Sequence, residues 1–315
     1  MPGERRKPAE SDVQVKKKYL FVFVMLLVIT LAGMGLTSLY VMREDSQKKQ
    51  EEISVVTSFY PMYIAAMNVV GDADGVKLTN LSEPQTGCLH DFQLTPEDMK
   101  LLSTADVFVI NGGGIESFME EVASSYPSLQ IVEACDGVSL LAEEDEENAH
   151  AWMSIASYKK QVENIAKGLA SADPAHETEY ESNARDYCEK LETLEQRKQA
   201  VYDAAKGQKV ILFHEAYAYV AEDYGLTVSY VMDLDEERQV SAGEVSDLLA
   251  AVKKDHVRYI LAEKRYGQSM GDTIEKESDV RVIYLDPLNR GDYDKDSYLK
   301  GMEENIRLLE QCFVY

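Results

Sequence analysis

"DVFVINGGGIESFMEEVASSYPSLQIVEA", residues 106–134, reads as strand, helix, strand. Two near-continuous apolar runs flank an amphipathic stretch. Strands of that kind, alternating with helices, indicate βαβ units and a parallel sheet. The same rhythm extends in both directions. Upstream, "ISVVTSF" and "VKLTNL" read as strands, and "MYIAAMNVV" and "TPEDMKLLSTA" as helices. Thr95 is the expected N-cap of the latter, with Pro96 at its first position and acids in its first turn. Downstream the rhythm stops. From Ser157 to about Ala205 no strand signal occurs, and "ETEYESNARDYCEKLETLEQRKQAVYDAA" predicts one long helix with Tyr180, Ala184, Tyr187, Leu191, Leu194 and Val201 along one side. Gly207 stops it. The alternation then resumes, with "KVILF", "LTVSYVM", "VRYILA" and "VRVIYL" as strands between four further helices. The expected fold is α/β: two Rossmann-like lobes with parallel sheets, 53–156 and 207–315, joined by a long rigid helix in the linking segment 157–206.

The N-terminus differs from the rest. Residues 1–18 carry six basic and three acidic side chains, and residues 19–42, "YLFVFVMLLVITLAGMGLTSLYVM", carry none. About 20 apolar residues span a bilayer, and flanking positive charge stays on the cytoplasmic side. The segment therefore reads as a membrane anchor or a cleaved signal, with the anchor favoured by its length. Residues 43–52 form a charged linker, and everything after it is expected outside the cytoplasm. The chain carries a net −24; the +3 of residues 1–18 leaves −27 for the remainder. Such a polyanion repels nucleic acid and attracts cations. Four widely spaced cysteines, Cys88, Cys135, Cys188 and Cys312, permit two disulfides in an oxidising compartment.

The five histidines carry the chemistry. His90 follows strand "VKLTNL", His150 follows "LQIVEA", and His214 follows "KVILF"; Asp286 directly follows "VRVIYL". All four lie beyond the carboxyl ends of strands, the edge where open α/β sheets bind ligands. His176 opens the long helix and is expected to be solvent-exposed, while His256 precedes its strand. Three imidazoles and a carboxylate suit a tetrahedral ion, and three imidazoles favour Zn²⁺ over the harder Mn²⁺. Cys88 and Glu263 stand near as additional ligands or as groups that orient one. Trp152, the one tryptophan, reads as packing that shields the His150 loop, and the acidic run "EEDEEN" before it as a solvated turn or a cation lure.

At these residues the chain resembles the zinc- and manganese-binding solute receptors of bacterial ABC importers, the cluster 9 metal-binding proteins. The blocks that carry the resemblance are "PQTGCLHDFQLTPEDMKLLSTADVFVINGGGIESFMEEV", "NAHAWMS", "LFHEAYAYVAEDYGL" and "YLDPLNRGDYDKDSYLKGMEENIRLL". Together they cover nearly all of 53–313. The resemblance implies metal ligands at His90, His150, His214 and Asp286. It implies an extracytoplasmic receptor, a monomer, that passes its ion to an ABC permease and its ATPase. Histidine rather than glutamate at position 214 points to the zinc type. Two departures stand out: Met34 where a lipidated cysteine is expected, and no histidine-rich loop before His150. Small lobe motions are expected, with affinity falling as histidines protonate below about pH 6. The rival readings are a manganese receptor, a membrane-tethered zinc hydrolase using Glu215 as base, a surface adhesin with a structural metal, and a siderophore or cobalamin receptor. Against the hydrolase, no HExxH motif or nucleophile elbow is present, and a fourth ligand closes the site.

Overall fold

The strand–helix alternation is realised twice in the protein's computed structural model. It describes residues 10–46, 52–90, 92–143, 146–232, 234 and 240–315. Residues 1–9 of the basic segment, 47–51 of the linker, and 144 and 145 of the acidic run lie outside the described residues. The first helix, α1 (Glu10–Ser46), forms a unit of its own, and its stretch Tyr19–Thr37 is long and apolar enough to cross a membrane. Residues Ile53–Tyr315 form the second unit.

In that unit β1 (Ile53–Thr57), α2 (Tyr60–Val70), β2 (Val76–Asn80), α3 (Pro96–Leu102), β3 (Val107–Ile110), α4 (Met119–Ser125) and β4 (Gln130–Glu133) build a parallel sheet of order β2-β1-β3-β4. A hairpin, β5 (Leu141–Glu143) and β6 (Glu146–Asn148), follows it, and then a 3-10 turn over Ala151–Met153. Three helices come next: α5 (Ile155–Ala172), α6 (Glu177–Glu195) and α7 (Lys198–Ala205). The second parallel sheet has the order β10-β9-β7-β8. Its strands are β7 (Lys209–Leu212), β8 (Thr227–Val231), β9 (Tyr259–Ala262) and β10 (Arg281–Tyr284), and α8 (Tyr217–Asp223), α9 (Ala242–Asp255), α10 (Lys264–Glu277) and α11 (Ser297–Phe313) accompany them. Both sheets share one topology: in each the first strand lies between the second and the third.

Thr95 caps α3 as its sequence predicts: its Oγ1 accepts from Asp98 N, and the Asp98 carboxylate accepts from Thr95 N (2.9 Å). The strand period of two sorts the second sheet's side chains. Val210 and Leu212 join a core that runs from the first sheet through the helices, whereas Ile211 and Phe213 enter a smaller cluster on the opposite face. One apolar core thus unites residues of both sheets.

The long helix expected over 177–205 is instead broken at Gln196–Arg197. There the bonding tightens from i→i−4 to i→i−3, as Arg197 N donates to Leu194 O (3.1 Å). The break has a packing cause. The α5–α6 pair packs on α2, while α7 packs on α11, so the chain must turn between the two supports. Arg197 pins the turn, with Nη2 on Glu310 (2.8 Å) and Nη1 on Glu303 (3.1 Å) of α11. His176 also departs from expectation: it is half-buried, and its Nδ1 lies 2.6 Å from Asp173 Oδ2. His256 caps α9 in the left-handed conformation (φ 57°), away from the other histidines' edge. None of the four cysteines forms a disulfide.

Candidate metal centre

Three loops at the carboxyl ends of strands place His90 and His214 each beside His150. The first runs from β2 to α3, and the fully buried Leu89 anchors it beside His90. Before it, Gly87 adopts φ +94°, and an added Cβ would come 2.5 Å from Arg290 Nη2. Only glycine fits a left-handed position against which a guanidinium is packed. The second loop follows β6 and carries Asn148 to Met153. The third leaves β7 directly into α8.

His150 is the hub. It is 0% exposed, and its ring lies 5.1 Å from that of His90 and 5.0 Å from that of His214. Its Nδ1 lies 2.9 Å from Asn148 Oδ1, an atom that also accepts from His150 N (3.0 Å). An amide oxygen can only accept, so Nδ1 carries the ring proton and Nε2 presents a lone pair. That Nε2 faces His90 Nε2 at 3.3 Å and Cys88 Sγ at 3.5 Å. Asn148 is itself held, its Nδ2 donating to Glu215 O (3.0 Å) and its O accepting from Tyr219 Oη (2.6 Å). Glu215 Oε1 lies 3.3 Å from His150 Nδ1 and 3.5 Å from His90 Nε2. His214 is 2% exposed, and its Nδ1 accepts from Ala216 N (2.9 Å). The neutral His214 ring therefore holds its proton on Nε2. His90 is the accessible member, its side chain 36% exposed, so an incoming ion meets it first.

Among the described residues two donor groups could hold an ion: Cys88, His150 and His214, and His90, His150 and Glu215. Asp286 belongs to neither. Its Oδ1 accepts from Leu288 N (2.8 Å), its main chain exchanges two bonds with the Asn305 amide (2.8 Å each), and its Oδ2 faces Gly301. Glu263 is also absent from both groups, and its Oε1 lies 3.7 Å from Arg290 Nη1. Burial raises both of these carboxyls, and Arg290 opposes the rise.

The Asn111–Glu116 turn after β3 holds the His150 loop from behind. Asn111 Nδ2 donates to Ala149 O (2.9 Å), and Asn111 Oδ1 accepts from Gln161 Nε2 (2.8 Å). Glu116 accepts from Ser58 Oγ, Asn111 N and Gly112 N (2.8, 2.8 and 3.1 Å). Its burial pushes the carboxyl up to about 7 despite these bonds. Asn111→Ala would leave Ala149 O and Gln161 Nε2 without these partners, at about 1–3 kcal/mol for each buried group. The expected outcome is a lower urea midpoint with an unchanged slope.

Burial, and then the charges of neighbouring His214 and His90, lowers the His150 pKa well below its ordinary value. Burial, His90 and Arg290 push His214 down to about 3. These two rings therefore stay neutral well below pH 6, where the sequence reading has them protonate. In the unfolded chain they titrate near 6.5. The unfolded state then binds more protons, so stability is fully present above about pH 6.5 and falls with pH until the folded ring protonates. Relative to His214→Gln, the metal-free protein should lose about 1.5 kcal/mol between pH 6.5 and 5. Paired urea titrations of the two proteins check this.

A family model described as zinc-uptake complex component A, periplasmic, matches residues 55–312. The high-affinity zinc uptake system protein ZnuA of Bacillus subtilis is 27% identical over 291 residues, covering 86% of this chain and 90% of ZnuA. The zinc-binding lipoprotein AdcA of Streptococcus pneumoniae is 26% identical over 305 residues, covering 90% of this chain and 60% of AdcA. The chain thus spans about 60% of the AdcA relatives' length. A structure of the binding protein FpvC of Pseudomonas aeruginosa in complex with Mn²⁺ superposes with a TM-score of 0.75 at 28% identity, over 84% of this chain and 98% of FpvC. Zn(II)-bound AdcA of Streptococcus pneumoniae superposes with a TM-score of 0.73 at 27% identity, over 84% of this chain and 58% of AdcA.

Proposed function

The chain belongs to the zinc-uptake complex component A family, and we propose that it is a membrane-tethered receptor that captures Zn²⁺ outside the cytoplasm and delivers it to an ABC permease with its ATPase. The observation that carries this reading is the facing pair of imidazole nitrogens, His90 Nε2 and His150 Nε2, 3.3 Å apart. With Zn–N bonds of about 2.0 Å, the edge of a tetrahedron is about 3.3 Å. The pair is spaced as two ligands of one ion, and His214 supplies the third imidazole. The relatives named for zinc support the same cargo.

Each step falls to a residue of this chain. The acidic surface raises the local concentration of cations. The exposed His90 makes first contact, and the buried, neutral rings of His150 and His214 complete capture without first losing a proton to solvent from His150 Nε2. Asn148 fixes the His150 tautomer, as acceptors on the distal nitrogen do in metal sites. The act is binding and release, with no turnover: Glu215, the only carboxylate in either donor group, is engaged with the two imidazoles rather than free to act as a base.

The division into lobes 53–156 and 207–315 with a linker 157–206 is part of this proposal, as is the tether through the apolar stretch Tyr19–Thr37. Bonds that tie residues 53–156 to the C-terminal portion include Trp152 Nε1 to Pro287 O, Tyr298 Oη to Trp152 O, Tyr60 Oη to Asp292 O and Asn68 Nδ2 to Lys295 O. They favour release by movement of the site loops over wide opening of the lobes. Uptake of labelled zinc at limiting concentration provides the test. Cells lacking the protein should lose uptake, and wild type but not His214→Ala should restore it. Undiminished uptake without the protein sinks the receptor reading.

A further inference from the structure

We propose that the Cys88 sulfur is a ligand of the captured ion, in one donor set with His150 and His214. The inference rests on the receptor reading and names a sulfur donor at its site. The spacing is the first argument. With Zn–S of about 2.3 Å and Zn–N of about 2.0 Å, a tetrahedral S···N edge is about 3.5 Å. Cys88 Sγ lies 3.5 Å from His150 Nε2. The same nitrogen lies 3.3 Å from His90 Nε2, an edge that belongs to a separate donor group. The donor atoms of Cys88, His150 and His214 all lie within 4.8 Å of one another.

The surroundings of the sulfur are the second argument. Asn289 Nδ2 donates to Cys88 Sγ (3.0 Å), and Arg290 Nε donates to Asn289 Oδ1 (3.1 Å). An amide donor backed by a guanidinium stabilises negative charge on sulfur, as an outer layer of hydrogen bonds does for a ligating group. Arg290 is fixed in turn by Glu263 (3.7 Å) and by its place over the Tyr266 ring (5.4 Å). Gly87, next to Cys88, leaves the room for that guanidinium. The sulfur forms no disulfide. Asp286, by contrast, is directed to Leu288 N and Gly301, outside both donor groups.

A thiolate changes what the site selects. Sulfur suits Zn²⁺ and other borderline or soft ions and disfavours Mn²⁺, which prefers oxygen. On binding, the thiol proton leaves to solvent as the S–metal bond forms, with no change of oxidation state.

Co²⁺ serves as the probe, added to the detergent-solubilised full chain under reducing conditions. Its visible d–d bands report tetrahedral binding, and a near-ultraviolet sulfur-to-cobalt charge-transfer band reports a thiolate ligand. The expected result is both bands in the wild type, with the charge-transfer band lost and the d–d bands kept in Cys88→Ser. Wild-type d–d bands without charge transfer overturn the sulfur ligand and leave the receptor reading standing. No Co²⁺ and no Zn²⁺ binding overturns both. A measurement on the wild type alone guards against a variant that fails to fold. Zn²⁺ should slow alkylation of Cys88, mapped by mass spectrometry, and an unchanged rate overturns the proposal.

Discussion

His150→Ala abolishes the thermal stabilisation that zinc gives the wild-type protein. A ligand that binds only the folded state stabilises it by RT ln(1 + [L]/Kd), about 4 kcal/mol at a thousandfold excess over Kd. For a chain of this size that is a rise in Tm on the order of 10 °C. His150 is the one residue common to both donor groups, and its Nε2 makes both of the short edges, to His90 and to Cys88. Losing it removes both edges at once and leaves neither donor group with three members. Because the buried ring also packs between His214 and Trp152, the variant starts from a lower Tm without metal. The comparison is therefore the shift that zinc produces in each protein, read by differential scanning fluorimetry. A variant that keeps the wild-type shift contradicts the site.

Trp152→Ala lowers stability by about 3–5 kcal/mol, the cost of emptying a buried aromatic position. The side chain is fully buried, meets Phe59 edge-on at 5.1 Å and lies 5.0 Å from the His150 ring. Its indole N–H donates to Pro287 O (2.9 Å), and its own carbonyl accepts from Tyr298 Oη (2.7 Å). Removing the indole leaves a cavity beside the metal loop and takes the indole N–H away from Pro287 O. Trp152→Phe separates the two effects: it keeps most of the packing and loses only the donor, for about 1–3 kcal/mol. Chemical denaturation measures both, and zinc affinity should fall in the same order, since the ring also braces His150. Equal stabilities for the Ala and Phe variants contradict the packing role. The sequence reading treats Trp152 as packing for one loop; in the structure it also joins residues distant in the chain.

The eight strands of the two sheets were legible because their apolar runs are continuous and bounded by helices of clear period. So was the edge at which the histidines gather, since that follows from which strand each one succeeds. The orientation of Asp286 was harder to read. Asp286 sits at a strand end as expected, but position along the chain does not say which way a carboxylate turns, and Leu288 N captures this one. Cys88 and Glu215 stand beside histidines in sequence, and only the folded loops set their distances to His150, a residue from a third loop. Asn148 gives no pattern at all, because its role depends on a turn that folds its amide back onto the ring two residues ahead. The hairpin at 141–148 escapes notice since its three-residue strands are too short to show alternation and lie in a run of acids. The break at 196–197 is invisible for a related reason: apolar period continues through it, and the partner that bends the chain, α11, lies more than a hundred residues away.

Elemental analysis of the purified full chain, dialysed and reloaded against equimolar Zn²⁺ and Mn²⁺, bears most directly on the central claim. The arrangement of His90, His150 and His214 predicts about one zinc per chain and little manganese. Manganese in excess of zinc, or no retained metal, contradicts it.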